Sequence, residues 1–152
     1  MDACSKTCSD AAVRAWVQLI RAHRSALCSV ERALSAADLP PLEWYDVLLE
    51  LDKAGPLRPR DLQDRLLLAQ YNLSRLLDRM EAAGMVERGR CEQDARCQWV
   101  HVTKRGEALR RRMWPVYSAA IEQAVGAKLT DAKAERLATL LSGLTACRTP
   151  AE

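Results

Sequence analysis

At Gly84 the pattern of the chain changes, and few folds accommodate what lies on both sides of it. Before it, Leu73, Leu76, Leu77 and Met80 recur every three or four residues, the spacing of a buried helical stripe. Gly84 stands where a helix end calls for a left-handed residue, a conformation glycine adopts without steric penalty. After it, residues 85–88 and 98–102 read as short strands, and the polar segment between them, centred on Asp94, reads as the tip of a hairpin. A helix running straight into a hairpin must share a core with it, and the remaining elements have to complete that core.

Prolines and glycines divide the rest of the chain. Ser9-Asp10 is placed to cap a first helix to about residue 36, with Val13, Trp16, Val17, Ile20, Leu27, Val30 and Leu34 mostly at helical spacing. Leu39-Pro40-Pro41 breaks it, and a second helix over 42–53 ends at Gly55-Pro56. Pro59 suits the first turn of a short third helix covering 61–67, and Ala69-Gln70 forms a tight turn into a fourth over 71–83. Beyond the hairpin, a long helix is predicted over 104–125 with a kink at Pro115. Thr130 caps a last helix that ends near residue 144. The order predicts a mainly α fold: a winged helix-turn-helix with a two-stranded β-hairpin wing, set between N- and C-terminal helices. The lobe spans 42–103 and the flanking helical regions span 9–36 and 104–146 of this single-domain chain.

Charge is unevenly spread. The net charge is +3, yet residues 58–112 hold thirteen Arg or Lys against eight Asp or Glu, a net of +5 that leaves −2 for the remainder. A basic middle suits a chain whose central part faces a polyanion. On the fourth helix, Asn72, Arg75 and Arg79 lie opposite the apolar stripe, flanked by Tyr71, Ser74 and Asp78, with Gln70 just before. Asn and Arg make bidentate contacts to adenine and guanine edges, and Ser and Tyr reach phosphates. The same pattern also describes an ordinary amphipathic helix with a solvated outer face. Arg88, Arg90 and Arg96 flank the hairpin loop, where arginines can enter a minor groove.

Several short runs are recognisable together and in order. Gly84-Met85-Val86-Glu87-Arg88, then Asp94-Ala95-Arg96, then Val102-Thr103-Lys104-Arg105-Gly106 resemble the wing signature of the MarR family, roughly G-L-V-x-R, D-x-R and L-T-x-x-G. The run from Leu73 to Glu81 is similar to that family's recognition helix, although Leu68-Ala69-Gln70, ahead of Tyr71, lacks the Ser or Thr usual near that helix's start. The resemblance implies a homodimer built from the first helix and the last two, binding a pseudo-palindromic double-stranded DNA site. It implies that Asp94 braces the wing and Arg96 reaches the minor groove. It further implies a transcription regulator, usually a repressor released by an inducer.

Two inputs are open. Trp16, Ile20, Trp44 and Tyr45 can line a cleft for a small phenolic or anionic ligand between the dimerisation and DNA-binding regions, as the resemblance suggests, or can simply be packing aromatics. The six cysteines offer another. Cys4 and Cys8 would share a helix face, and Cys91 and Cys97 sit symmetrically about Asp94, so in a simple hairpin they would face each other. Cys147 lies past the last helix, near the first in a dimer of this kind. A thiophilic metal or metalloid, or an oxidant, would then be the effector; incidental thiols explain the same residues. No resident cofactor is required.

Other classes are disfavoured. The chain lacks G-x-S-x-G, H-E-x-x-H and both glycine-rich phosphate-binding patterns, so nothing points to an enzyme. A helical protein-interaction module would suit the long terminal helices, which dimerisation also explains. The N-terminus carries no apolar signal segment and no stretch approaches the ~20 apolar residues of a membrane span, so a cytoplasmic location away from membranes is expected.

Overall fold

The computed structural model describes residues 8–67, 72–91 and 94–145, with the backbone alone described at 90, 91 and 94–97. Its elements are α1 (Asp10–Ala36), α2 (Leu42–Ala54), α3 (Pro59–Arg65), α4 (Leu73–Ala82), β1 (Val86–Cys91), β2 (Asp94–Val102), α5 (Lys104–Ala124), a 3-10 turn (Gly126–Lys128) and α6 (Asp131–Thr145). The winged helix-turn-helix expected from the sequence is present.

Two compact units emerge, residues 31–119 and residues 1–30 with 120–152. The division falls inside α1 and α5, not at their ends. The reason is burial: Leu34 at the end of α1 and Leu109 and Met113 in the first half of α5 belong to the interior of the 31–119 lobe. That lobe holds nearly all the fully buried side chains. Val47, Leu48 and Leu51 of α2, Leu62 of α3, and Leu76, Leu77 and Met80 of α4 meet Val86 and Val100 of the hairpin. At ~1.5–3 kcal/mol for each large apolar side chain removed from water, this shared interior is what makes the short helices stable.

Local signals set the ends of the helices. Ser9 Oγ accepts the Ala12 amide at 3.2 Å and caps α1. Asn72 Oδ1 accepts the Arg75 amide at 3.2 Å, so α4 begins after Asn72, later than the tight-turn reading placed it. At the other end Gly84 has φ +73°, its amide bonds to Glu81 O at 2.8 Å, and the Met85 amide bonds to Met80 O at 2.9 Å. These two bonds form the Schellman closure, which turns the chain from α4 into β1. Pro115 lies within α5, which continues through it.

The hairpin is longer than the two short strands expected. Its rungs run from Val86 opposite Val102 to Arg90 opposite Gln98, and then the register slips so that Cys91 faces Asp94. Asp94 therefore opens β2, and Cys91 and Cys97, expected to face each other, do not share a rung. The slip leaves residues 95–97 of β2 with no rung opposite β1. Leu57 forms a further bridge to Val100 through bonds of 3.0 and 2.8 Å, tying the start of α3 to the wing.

Where α4, the hairpin and α5 meet, the Thr103 hydroxyl lies 2.7 Å from Gly84 O and 3.2 Å from Met85 O, and accepts the Gly106 amide at 3.1 Å. A Cβ on Gly106 would collide with Met85 O and crowd Val102. Gly106→Ala is therefore expected to cost about 1–3 kcal/mol in urea unfolding, by overpacking. Gly143→Ala, in α6 with nothing within 4 Å of the added atom, should stabilise the fold by up to about 1 kcal/mol through helix propensity alone.

Candidate nucleic-acid interface

The outer face of α4 is exposed at Ser74, Arg75, Asp78 and Arg79, opposite the buried Leu73, Leu76, Leu77 and Met80. Among the described residues, no ion pair or hydrogen bond engages the Arg75 guanidinium, so it projects from the helix uncompensated. Arg79 differs. Its guanidinium pairs with Glu43 of α2 at 2.8 Å, its side chain 60% exposed. An ion pair this open to solvent is worth only ~0–1 kcal/mol, so a phosphate or base edge can compete for Arg79. Asn72 uses its carbonyl oxygen to cap the helix, which leaves its amide nitrogen to reach a nucleic acid.

Arg88 faces inward. Its guanidinium contacts Asp78 at 2.7 Å and Glu81 at 3.7 Å and donates to Ser74 O at 3.2 Å, while its backbone amide donates to Glu81 at 3.1 Å. These contacts fasten the base of the wing to the recognition helix. The arginine placed by the sequence among the DNA-facing residues thus also has a bracing position. The backbone places Arg90 on β1 and Asp94 and Arg96 on β2. Gln70 and Tyr71 lie outside the described residues.

A hollow of about 360 Å³ opens beside α4, lined among others by Arg60 and Gln63 of α3, Asn72, Ser74, Arg88, and Gln98 of β2. Arg60, Gln63 and Gln98 were missed in reading the sequence. Residues 60 and 63 share a face of α3 at three-residue spacing, a signal that was available; Gln98 joins them only because β1 and β2 pair. Nearby, Arg58 lies over the Trp99 ring, 5.3 Å from its centroid. The hollow mixes apolar and polar walls and is edged by the cations Arg60 and Arg88, a charge a phosphate could meet.

The expected ligand-lining residues lie in two places. In the 31–119 lobe, Tyr45 packs edge-on to Tyr117 at 5.0 Å and stacks on Trp114 at 6.1 Å. Tyr45, Asp46 and Tyr117 line a cavity of about 100 Å³, and Trp44 is half-buried. Burial, then the neighbouring Asp46 carboxylate, then Tyr45 raise the Tyr117 pKa above its usual 10.0, so the phenol is neutral. In the other unit, Trp16 lines an apolar groove of about 550 Å³ between α1 and α6, and Ile20 is exposed. Cys8 and Cys28 are exposed; Cys4 and Cys147 lie outside the described residues, as do the side chains of Cys91 and Cys97. Among the described residues, no group of three or more His, Cys, Asp or Glu is placed to hold a metal ion, and no helix is long and apolar enough to cross a membrane.

Residues 37–96 match the family model described as MarR family. This segment is similar to the MarR family's winged helix. An HTH-type transcriptional regulator of Bacillus anthracis is 30% identical over 100 residues, covering 66% of this chain and 65% of the relative. The chain thus spans about 65% of the length of the curated relatives it first matches. Among solved structures, a MarR family transcriptional regulator from Streptomyces coelicolor, in complex with DNA, superposes with a TM-score of 0.86 at 24% identity, covering 99% of this chain and 95% of that one. A mutant MarR from E. coli complexed with operator DNA gives a TM-score of 0.74 at 23% identity, with 84% and 90% coverage. These structures share the MarR fold.

The MarR wing signature gains a physical reading from the geometry. Gly84, Thr103 and Gly106 form the junction, and Arg88 joins wing to recognition helix. In a double-mutant cycle of Arg88→Ala and Asp78→Ala, urea unfolding should give a coupling of about 0.5–1 kcal/mol, because the pair is partly open to solvent. A coupling near zero would mean the arginine does not brace the wing.

Proposed function

We propose that this chain is a sequence-specific, double-stranded DNA-binding transcription regulator that acts as a homodimeric repressor in the cytoplasm, not a catalyst. The observation that carries the reading is the exposed outer face of α4, with an Arg75 that no described residue pairs, held by Arg88 beside a wing in a lobe similar to the MarR family's. Arg75 reads a base edge in the major groove, with Ser74 and Arg79 beside it, and Arg96 on the wing reaches the minor groove. Arg60 and Gln98 hold backbone phosphates around the hollow. Relatives solved with DNA support this reading.

The homodimer rests on apolar surface. Trp16 of α1 and Leu140 and Leu144 of α6 are 62%, 64% and 67% exposed around the α1–α6 groove. A monomer would leave this surface in water, and a second copy supplies an apolar face of matching kind. Two lobes related by a two-fold axis then require a pseudo-palindromic site.

For the input, we retain the thiols as one reading: a soft metal, a metalloid or an oxidant acting on Cys4, Cys8 and Cys147. Small organic effectors are the second, favoured by the cavity at Tyr45 and Tyr117. BpsR of Bordetella bronchiseptica, a structural neighbour with a TM-score of 0.77, has its DNA binding regulated by 6-hydroxynicotinic acid.

Fluorescence anisotropy on duplex DNA from upstream of the chain's own gene tests the reading. Binding should weaken steeply with salt as counterions are released. Arg75→Ala should cost about 1–3 kcal/mol and relax base preference, whereas Arg96→Ala should weaken all sequences more evenly. Salt-indifferent or absent binding to any duplex would sink the regulator reading. Leu140→Glu should convert dimer to monomer in sedimentation and cut affinity for a two-half-site duplex roughly a hundredfold. Loss of binding on treating reduced protein with soft metals or oxidant, abolished by serine at Cys4 and Cys8, would select the thiols.

A further inference from the structure

Asp46 is a charged residue among apolar neighbours on α2. Tyr45, Val47, Leu48 and Leu51 beside it on the same helix are all buried, and Asp46 itself is only 4% exposed. Leu42, Leu49, Leu67 and Tyr117 line the same small cavity. A carboxylate in such surroundings is costly unless strong hydrogen bonds replace water. One of these comes from the chain across from it: the Leu67 backbone amide donates to Asp46 Oδ2 at 2.7 Å.

The position of that donor is what matters. Leu66 ends α3, its amide bonded to Leu62 O at 3.2 Å, so Leu67 is the first residue of the connection leading to α4. Its side chain is 80% exposed, so apolar burial does little to hold the backbone there. A charge-assisted bond to a buried carboxylate on another helix does hold it, and holds it better for being in a low-dielectric setting.

We infer that Asp46 is a positioning residue for DNA recognition: it anchors the chain at Leu67, where α3 gives way to the connection ahead of the recognition helix. The inference rests on the DNA-binding reading above. Bidentate base contacts tolerate only small displacements, whereas phosphate contacts spread over α3, α4 and the wing tolerate more. Loss of the anchor therefore removes discrimination between sequences before it removes affinity for DNA as such.

The test uses the full chain and two duplexes, one selected from a random pool by the wild type and one scrambled. Asp46→Asn keeps a carbonyl acceptor; Asp46→Leu removes it. Leu67→Pro removes the donor instead and leaves α2 untouched. Leu66, with φ −63° and ψ 137°, already has the extended backbone that proline requires of the residue before it. Asp46→Leu and Leu67→Pro should each lower the preference for the selected duplex at least tenfold, with binding to the scrambled duplex changed less than threefold. Asp46→Asn should keep most of the preference. Hydrogen exchange should show the Leu67 amide protected in the wild type and Asp46→Asn, and exposed in Asp46→Leu. Should Asp46→Leu fail to fold, Leu67→Pro and Asp46→Asn decide the question. A preference within twofold of wild type in Leu67→Pro, or an unprotected Leu67 amide in the wild type, overturns the inference. A wild type that selects no duplex overturns the DNA-binding reading itself, while exchange at Leu67 still reports whether the anchor exists.

Discussion

The Thr103 hydroxyl holds together three elements that would otherwise meet only through apolar contact. It faces the carbonyls that end the turn after α4 and accepts the Gly106 amide in the first turn of α5. Because Gly106 has no side chain, the start of α5 can approach Met85 closely enough for this to occur. The hairpin begins at Val86, immediately beyond the same turn. The angle between recognition helix and wing therefore depends on a few hydrogen bonds at one corner, and the shared burial of Leu76, Leu77, Met80, Val86 and Val100 makes that corner rigid.

A second set of contacts acts further out, where solvent weakens each of them. Arg88 ties β1 to α4 through Asp78, Glu81 and Ser74, and Arg79 ties α4 to α2 through Glu43. Individually such pairs add little stability, but they fix orientation. They also sort the arginines of the lobe by accessibility. Arg88 is committed to acidic neighbours, Arg79 is shared, and Arg75 pairs with no acidic group among the described residues. The face therefore presents cations of graded availability to anything that approaches it.

Much of the fold was legible because its signals are local. The stripe from Leu73 to Met80, the glycine at 84, the prolines at 40, 41 and 59 and the cap at Ser9 act within one or two helical turns. The start of α4 was placed too early because Asn72 caps the helix, and a capping side chain looks the same in sequence as a base-reading one. The wing reads shorter in sequence because a slip in strand register has no sequence marker of its own, and this one removes the Cys91–Cys97 rung that symmetry about Asp94 suggested. Gln98 escaped notice because the hollow it shares with Arg60 and Gln63 draws on four separate elements, α3, α4, β1 and β2.

By itself, the sequence determined which segments are helical, where they stop, that a hairpin follows the fourth helix and that the middle of the chain is basic. These properties follow from periodicity, backbone preference and charge, and none needs a distant residue. Only the tertiary structure decided which charges are spent on neighbours and which remain exposed. Arg79 meets Glu43 across 36 positions of sequence, and the Leu67 amide meets Asp46 across 21. Such pairings arise when packed helices bring their faces together, and the composition of either helix alone does not contain them.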